Sequence, residues 1–429
     1  MKVTVIGAGY VGLVAACCLA NSGHEVICIE RNDTKRANLL QGILPFYEEG
    51  LENLLVNGIA RGRLKFSGCI ADGLTARIVM MAVGTPSQTD GRVDLSQIYQ
   101  AVQEISRQAA GSLILVMKST VPPGLGLQLK HRFLKNGAAQ ISYISNPEFL
   151  REGQAVQDWY RPDRIVLGGD DPEDLKVVEE LYRDINAPVC RMDICSAEMV
   201  KYASNAFLAT KISFINEIAN LCELVGADIG PVTEGVGLDN RIGRHFLQAG
   251  LGYGGSCFPK DTRGLDFIST LHGHTFNLLK AVIEVNARQK IFAVRKLIHL
   301  LKVLADKKIA VLGIAFKPNT DDIREAPALE IIRILLDEGV QVKAFDPMAD
   351  MKWVKEQLPE VKICKDPLSA VDGCHAVIIA TEWRDFIEMD WREARERMVK
   401  PYAVLDGRNC LDPAVLKEMG FQYKGIGKK

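Results

Sequence analysis

The chain has 429 residues, more than one hydrophobic core normally serves, so two or three domains are expected. Apolar residues make up 48% and charged residues 24%, a globular balance that excludes extended disorder. Lysine plus arginine (52) and aspartate plus glutamate (53) almost cancel, which excludes a global basic field for nucleic acid but leaves room for a local phosphate pocket.

The N-terminus does not read as a targeting segment: Lys2 is followed at once by Val3-Thr4-Val5-Ile6 and then glycines. The apolar run Val11–Ala20 is too short to span a bilayer, so no membrane association is expected. Eleven scattered cysteines, with no Cys-x-x-Cys and no histidine cluster, argue against disulfides and against a metal site. They point to a reducing, cytoplasmic setting. Cys17, Cys18 and Cys28 read as small core residues.

In chain order, Val3–Ile6 is a β-branched strand, Tyr10–Asn21 a helix stopped at Ser22-Gly23, and Glu25–Ile29 a second strand. Ile78–Val83, Leu113–Met117 and Ile141–Ile144 are further buried-strand candidates separated by helical stretches. This alternation predicts an α/β, doubly wound parallel sheet. From Ser196, a plausible N-cap, to about Cys222 there is neither Gly nor Pro, and Asn277–Leu304 lacks both as well. Such long helices suggest a bridging and subunit-pairing element. Alternation then resumes. Lys308–Phe316 is strand-like, Ala328–Glu338 helical, and Val340–Phe345, Ala376–Ala380 and Ala403–Leu405 are strands. The expected architecture is therefore two Rossmann-like doubly wound domains joined by a long central helical segment. The expected boundaries are 1–190, 191–300 and 301–429. In the second α/β domain Gly313-Ile314-Ala315-Phe316-Lys317 puts bulk where the second fingerprint glycine would stand. A dinucleotide in the usual pose is not expected there.

Gly7-Ala8-Gly9-Tyr10-Val11-Gly12 fits G-x-G-x-x-G between a strand and a helix. Gly7 serves a tight turn, Gly9 lets backbone approach a pyrophosphate, and Gly12 lets the helix pack closely. Glu30 ends the second strand, where a carboxylate bonds ribose hydroxyls and repels a 2′-phosphate. NAD is thus favoured over NADP, although Arg31 and Lys35 stand nearby. Gly84-Thr85-Pro86 and Ser119-Thr120-Val121-Pro122-Pro123-Gly124 follow strands, where ligands sit in open α/β sheets; each also reads as a plain turn.

Gly250-Leu251-Gly252-Tyr253-Gly254-Gly255-Ser256-Cys257-Phe258-Pro259-Lys260-Asp261 is the most informative segment. Its glycines suit close contact with a ligand, and a thiol beside an ammonium is biased to the reactive thiolate. On the long helix Lys201 and Asn205 are four apart and share a face; in apolar surroundings such a pair needs a partner. In Asn146-Pro147-Glu148-Phe149-Leu150-Arg151-Glu152, Glu148 and Glu152 would share a face if the segment turns helical, as an acid/base pair or as first-turn acids. In Phe316–Glu325, Lys317 and Arg324 are placed to meet anionic groups, or to be solvated in a loop that caps the next helix.

Taken together, GAGYVG, STVPPG, NPEFLREG, EMVKYASNAFLATKISFINEIA, GYGGSCFPKDT and AFKPNTDDIREAPA resemble the UDP-glucose/GDP-mannose dehydrogenase family, in its order and spacing over nearly the whole chain. Cys-Phe-Pro-Lys-Asp resembles the branch acting on UDP-glucose. The GDP-mannose branch usually has Leu at Phe258, and the N-acetylhexosamine branch departs further. Glu30 replaces the commoner Asp, which lengthens the reach without changing the charge. The resemblance implies a four-electron oxidation of UDP-glucose to UDP-glucuronate by two NAD+, through a thiohemiacetal and a thioester on Cys257. It implies Lys201 as the cation for developing oxyanions with Asn205 beside it. Asp261 and Thr120 would handle water and protons, and Glu148 the thioester hydrolysis. It carries substrate contacts to Glu148, Phe149, Leu150, Arg151, Lys201, Asn205, Phe246, Leu247, Gly250, Gly254 and Lys317, with Arg241 reaching a neighbouring subunit's substrate. Cofactor contacts fall on Glu30, Lys35, Thr85, Pro86, Thr120, Glu152, Lys260 and Arg324, besides the glycine loop. The long helices match the family's dimerisation element, so a homodimer is expected. The first-step base stays open among Lys201, Asp261 and a water. Competing readings are a GDP-mannose or UDP-N-acetylhexosamine dehydrogenase, a two-electron hydroxyacid dehydrogenase, and a non-catalytic NAD-binding regulator.

Overall fold

The computed structural model describes residues 1–134 and 139–428, which form two compact units, Met1–Ser204 and Asn205–Lys429. In the first unit β1 (Lys2–Ile6), β2 (Glu25–Ile29), β3 (Leu64–Ser67), β4 (Ile78–Met81), β5 (Ser112–Met117), β6 (Gln140–Ser145), β7 (Ile165–Gly168) and β8 (Val189–Met192) build one sheet. Its order is β3-β2-β1-β4-β5-β6-β7-β8. Pairing is parallel except between β6 and β7, which meet antiparallel at Ser145 and Gly168.

Its central strands β1, β4 and β5 are buried on both faces, and they are apolar runs for that reason. In β4, Ile78 and Met80 enter the core that contains Val3, Val5 and Leu13, while Val79 and Met81 enter the opposite core with Leu115 and Met117. The helix Tyr10–Asn21 is buried from Gly12 to Ala20. Cys17, Cys18 and Cys28 are core residues, and burial pushes the Cys28 thiol up to about 12, so it is inert. Strand order reverses between β1 and β4, which opens a crevice at their carboxyl ends.

In the second unit β9 (Lys308–Leu312), β10 (Gln341–Phe345), β11 (Lys362–Ile363), β12 (Ala376–Ile379), β13 (Ala403–Asp406) and β14 (Gln422–Gly425) form a parallel sheet, ordered β11-β10-β9-β12-β13-β14. It reverses between β9 and β12. The strand expected to reach Phe316 stops at Leu312, because Gly313 turns at φ +94. Asp346, directly after β10, is buried and accepts from the Ile314 (2.6 Å) and Ala315 (2.9 Å) amides. These are the amides that would otherwise cradle a pyrophosphate, so the nest of the second sheet is filled by its own carboxylate.

The long helix runs Ile194–Val225 and stops before Gly226 at φ +75; a second long helix spans Asn277–Leu301. Ser196 is not the N-cap. The helix starts two residues earlier, and Asp193 supplies the capping oxygen, accepting from the Ser196 amide at 2.9 Å. Among the described residues no helix is long and apolar enough to cross a membrane.

Candidate active site

The glycine loop joins β1 to the helix Tyr10–Asn21. Gly7 has φ +99, and a Cβ there would lie 2.7 Å from the Ala82 carbonyl oxygen. A Cβ on Gly12 would lie 1.9 Å from the Gly7 carbonyl, so only glycine lets the first helical turn rest on the loop. A Cβ on Gly9, the N-cap, would meet nothing within 4 Å, which leaves that backbone open to a ligand. The helix's first amides lack intrahelical acceptors, as do those of any helix, and favour an anion. One oxygen of Glu30 accepts from the Asn32 amide (2.9 Å) and the other pairs with Lys35 (3.0 Å). These residues fit a dinucleotide whose ribose hydroxyls meet Glu30. A 2′-phosphate would meet its negative charge.

Three loops gather at this end of the sheet. Ser119 Oγ donates to the Val83 carbonyl (2.7 Å), which ties the Thr120 loop to the Thr85-Pro86 turn; Thr85 is buried and Pro86 exposed. Glu48 is buried and accepts from the Gly153 and Ala155 amides (both 2.7 Å) and from the Tyr10 hydroxyl. It therefore fastens the loop around Glu152 to the start of the cofactor helix. Burial and the neighbouring Glu48 push the Tyr10 phenol far above its usual range, and the buried Glu152 adds to that.

The Asn146–Glu152 segment is a loop, not a helix, so Glu148 and Glu152 do not form the same-face pair that spacing allowed. Pro147 blocks a helical start at Asn146. Glu148 instead meets Lys201: Nζ to Oε1 is 2.8 Å, with both side chains almost fully buried. Its other oxygen accepts from the Leu150 amide at 2.6 Å. Burial would raise this carboxyl, but the charge and hydrogen bond of Lys201, the Leu150 amide and the charge of Lys118 prevail and hold it below the usual range. Phe149 carries Arg164 over its ring at 3.9 Å and Lys201 at 5.4 Å. Leu150 is half-buried against the cofactor-side core. Arg151 is turned onto Asp158, to which its amide donates at 2.8 Å.

In the second unit Cys257 is the residue before the helix Phe258–Leu271, with Pro259 in the first turn. A thiolate at this position faces the positive end of the helix. Ser256 Oγ lies 3.6 Å from its Sγ. Lys260 pairs with Asp261, whose other oxygen accepts from Asn205 Nδ2 at 2.6 Å; Asp261 is 1% exposed. Lys201 and Asn205 thus share a helix face, and each has a carboxylate partner of its own.

The glycines of the Cys257 loop press against protein rather than facing outward. A Cβ on Gly254 would sit 2.4 Å from the Glu325 carbonyl. Gly250 is held by its amide to Asn216 (2.8 Å) and its carbonyl from Gln289 (2.8 Å). This loop borders a cavity of 1010 Å³ that Phe246, Leu247, Gly250, Gly254 and Lys317 also line. Phe246 holds a left-handed φ of 63, and its ring packs tilted against Phe258 with centroids 6.0 Å apart. Arg241 is exposed and paired with Asp239, and Arg324 is paired with Asp322.

Sequence reading missed Arg408 and Lys428, two cations of the cavity wall that are paired with Glu382 (3.2 Å) and Asp228 (3.1 Å). Arg408 is aimed by the carbonyls of Ala380 (2.7 Å) and Phe316 (2.9 Å). It also missed Lys118, which is 6% exposed beside Glu148 and Lys201. A lysine directly after an apolar strand, ahead of a ligand loop, was the available signal. With basic groups and aromatic rings on its wall, the cavity can hold a diphosphate joined to a ring system.

Family models for the UDP-glucose/GDP-mannose dehydrogenase family match in three parts: its NAD binding domain at residues 1–186, its central domain at 195–288 and its UDP binding domain at 310–413. The UDP-glucose 6-dehydrogenase YwqF of Bacillus subtilis is 45% identical over 435 residues, spanning 100% of this chain and 98% of that protein. The UDP-glucose 6-dehydrogenase of Pseudomonas aeruginosa is 43% identical, spanning 100% and 98%. The solved UDP-glucose dehydrogenase of Pyrobaculum islandicum superposes with a TM-score of 0.92 at 38% identity, covering 100% of this chain and 98% of that one.

Proposed function

This chain belongs to the UDP-glucose/GDP-mannose dehydrogenase family, and from that premise we propose that it oxidises UDP-glucose to UDP-glucuronate with two NAD+ and one water. The observation that carries the reading is similarity over the full length to UDP-glucose dehydrogenases, joined to a thiol at a helix start beside a basic cavity. NAD+, held by the Gly7–Gly12 loop, Glu30 and Lys35, with Thr85, Pro86, Thr120, Glu152, Lys260 and Arg324 as further contacts, supplies a hydride acceptor twice per turnover.

The residues divide the work. Loss of a hydride from C6 and of the proton from its hydroxyl, which passes to water held by Asp261 and Thr120, leaves an aldehyde. The Cys257 thiolate adds to its carbon; a C–S bond forms, and the carbonyl electrons become an oxyanion steadied by Lys201 and Asn205. Loss of a second hydride from that tetrahedral carbon makes a thioester. Glu148 takes a proton from water, which attacks the thioester carbon; the C–S bond breaks and the thiolate returns. Asp261 and Thr120 position water and pass protons. Phe149, Leu150 and Arg151, with Phe246, Leu247, Gly250, Gly254 and Lys317, hold the UDP-sugar, and Arg241 reaches the substrate of a second copy. On this reading residues 1–190 bind NAD, 191–300 pair subunits and carry the catalytic loop, and 301–429 bind the UDP-sugar.

The reading includes a cytoplasmic homodimer. Its support is an apolar stripe on the long helix: Phe207, Phe214 and Leu221 recur every seven residues and are 65%, 54% and 52% exposed. Turnover with UDP-glucose, GDP-mannose and UDP-N-acetylhexosamines tests the substrate. UDP-glucose is expected to react fastest; inertness toward it with turnover of another sugar nucleotide overturns the choice.

A further inference from the structure

We propose that Lys118 is a positioning residue for the hydrolytic half-reaction: a fixed second counter-charge that keeps Glu148 ionised while Lys201 turns its ammonium to the substrate oxygen. The inference rests on Glu148 acting as the base for water, as read above.

Lys118 follows β5 and is 6% exposed. Its Nζ donates to Asn146 Oδ1 (3.1 Å) and Tyr182 Oη (3.3 Å), and lies 5.6 Å and 5.5 Å from the ring centroids of Trp159 and Tyr182. Asn146 is itself oriented by the Val166 carbonyl (2.9 Å). Two acceptors and two aromatic faces therefore hold the ammonium inside the protein. Burial is costly for it and pulls it down to about 8, against the attraction of Glu148 and with the repulsion of Lys201. An apolar side chain of similar length would serve packing better, so the charge calls for a reason.

The reason lies in the competing demands on Lys201. Its Nζ is 2.8 Å from Glu148, and an oxyanion on substrate competes with that carboxylate for the same ammonium. A buried carboxylate that loses its cation takes up a proton, and a protonated Glu148 cannot accept one from water. The charges acting on Glu148 are those of Lys201 on the long helix and Lys118 at the end of β5, and the Leu150 amide donates to it. Arg164 stands across the Phe149 ring and donates to Ser204 at 3.2 Å. Of the two lysines, Lys118 is the one hydrogen-bonded to Asn146 and Tyr182, neither of which is assigned to substrate. With Lys118 in place, two ammonium groups face one carboxylate, and the surplus positive charge suits a transient oxyanion.

The test is Lys118→Met in the full-length enzyme, assayed with UDP-glucose and NAD+ from about pH 5 to about pH 9, with intact-protein mass reporting the Cys257 acyl adduct. The acid limb of kcat is expected to move up by about one pH unit, a roughly tenfold loss on that limb. Rates should converge with the parent above about pH 8, KM for both substrates should change by less than about twofold, and adduct should accumulate at low pH. A loss equal at every pH, or an unmoved limb, overturns the proposal. If Lys118→Met does not fold, Tyr182→Phe keeps the charge but removes one of its anchors. A smaller shift in the same direction supports the proposal, and none overturns it. A parent enzyme that releases one NADH per sugar removes the reading beneath the proposal, which is a separate outcome from an unmoved limb.

Discussion

On the proposed mechanism Cys257 does two things that a hydroxyl does poorly: add to an aldehyde near neutral pH and leave from an acyl carbon. Its setting serves both, since it precedes a helix whose positive end favours a thiolate and follows a loop that borders the cavity. Cys257→Ser should slow steady-state formation of glucuronate by at least about a thousandfold, with the loss in the second half-reaction. Product quantified by chromatography checks this, and a parent-like rate would refute the role of the thiol. The thiol and its neighbours were legible because Cys257, Lys260 and Asp261 are contiguous. The partnership of Glu148 with Lys201 was not, because the two are far apart in the chain and meet only when a loop and the long helix pack together. Lys118 was hidden differently: one lysine after Leu113–Met117 reads as a strand emerging into water, yet it stays inside.

At the scale of elements, the long helix does more than carry Lys201 and Asn205. One turn before Lys201, Glu198 accepts from the Gly124 (2.7 Å) and Gly126 (2.9 Å) amides and from the Tyr143 hydroxyl (3.1 Å), and so fixes the loop that begins at Thr120. Burial outweighs these donors and raises Glu198 to about 7. A carboxyl raised from 4.5 in the unfolded chain favours folding while protonated and loses that contribution as pH rises to 7. The stability of the parent minus that of Glu198→Gln should therefore fall by about 3 kcal/mol between those values and level off above. Thermal melts across pH check it, and a difference flat in pH would contradict it. Tyr10–Asn21 and Glu25–Ile29 were legible to the residue, because Gly9 and Ser22-Gly23 punctuate the helix and the strand is an apolar run. The strands β3, β7, β8, β11 and β14 were not. They have four residues or fewer, and sequences such as Leu64-Lys65-Phe66-Ser67 become strands only when a neighbour supplies the hydrogen bonds. The glycine-rich loop before Cys257 was read as shaped for a ligand, yet Gly254 is glycine because the Glu325 backbone passes beside it.

For the whole molecule, the two doubly wound sheets use the same turn for different ends. The first leaves its amides open at Gly9, while the second closes them with Asp346, an acid visible in the sequence whose inward turn was not. The proposed dimer pairs two copies through the long helices. Phe207→Asp combined with Phe214→Asp should give monomers in sedimentation velocity, since two buried charges in an apolar interface cost several kcal/mol. A dimer that survives both changes would place the interface elsewhere. A four-electron oxidation carried through one thiol should release two NADH per UDP-glucose consumed at completion, and one equivalent with an aldehyde product would contradict it.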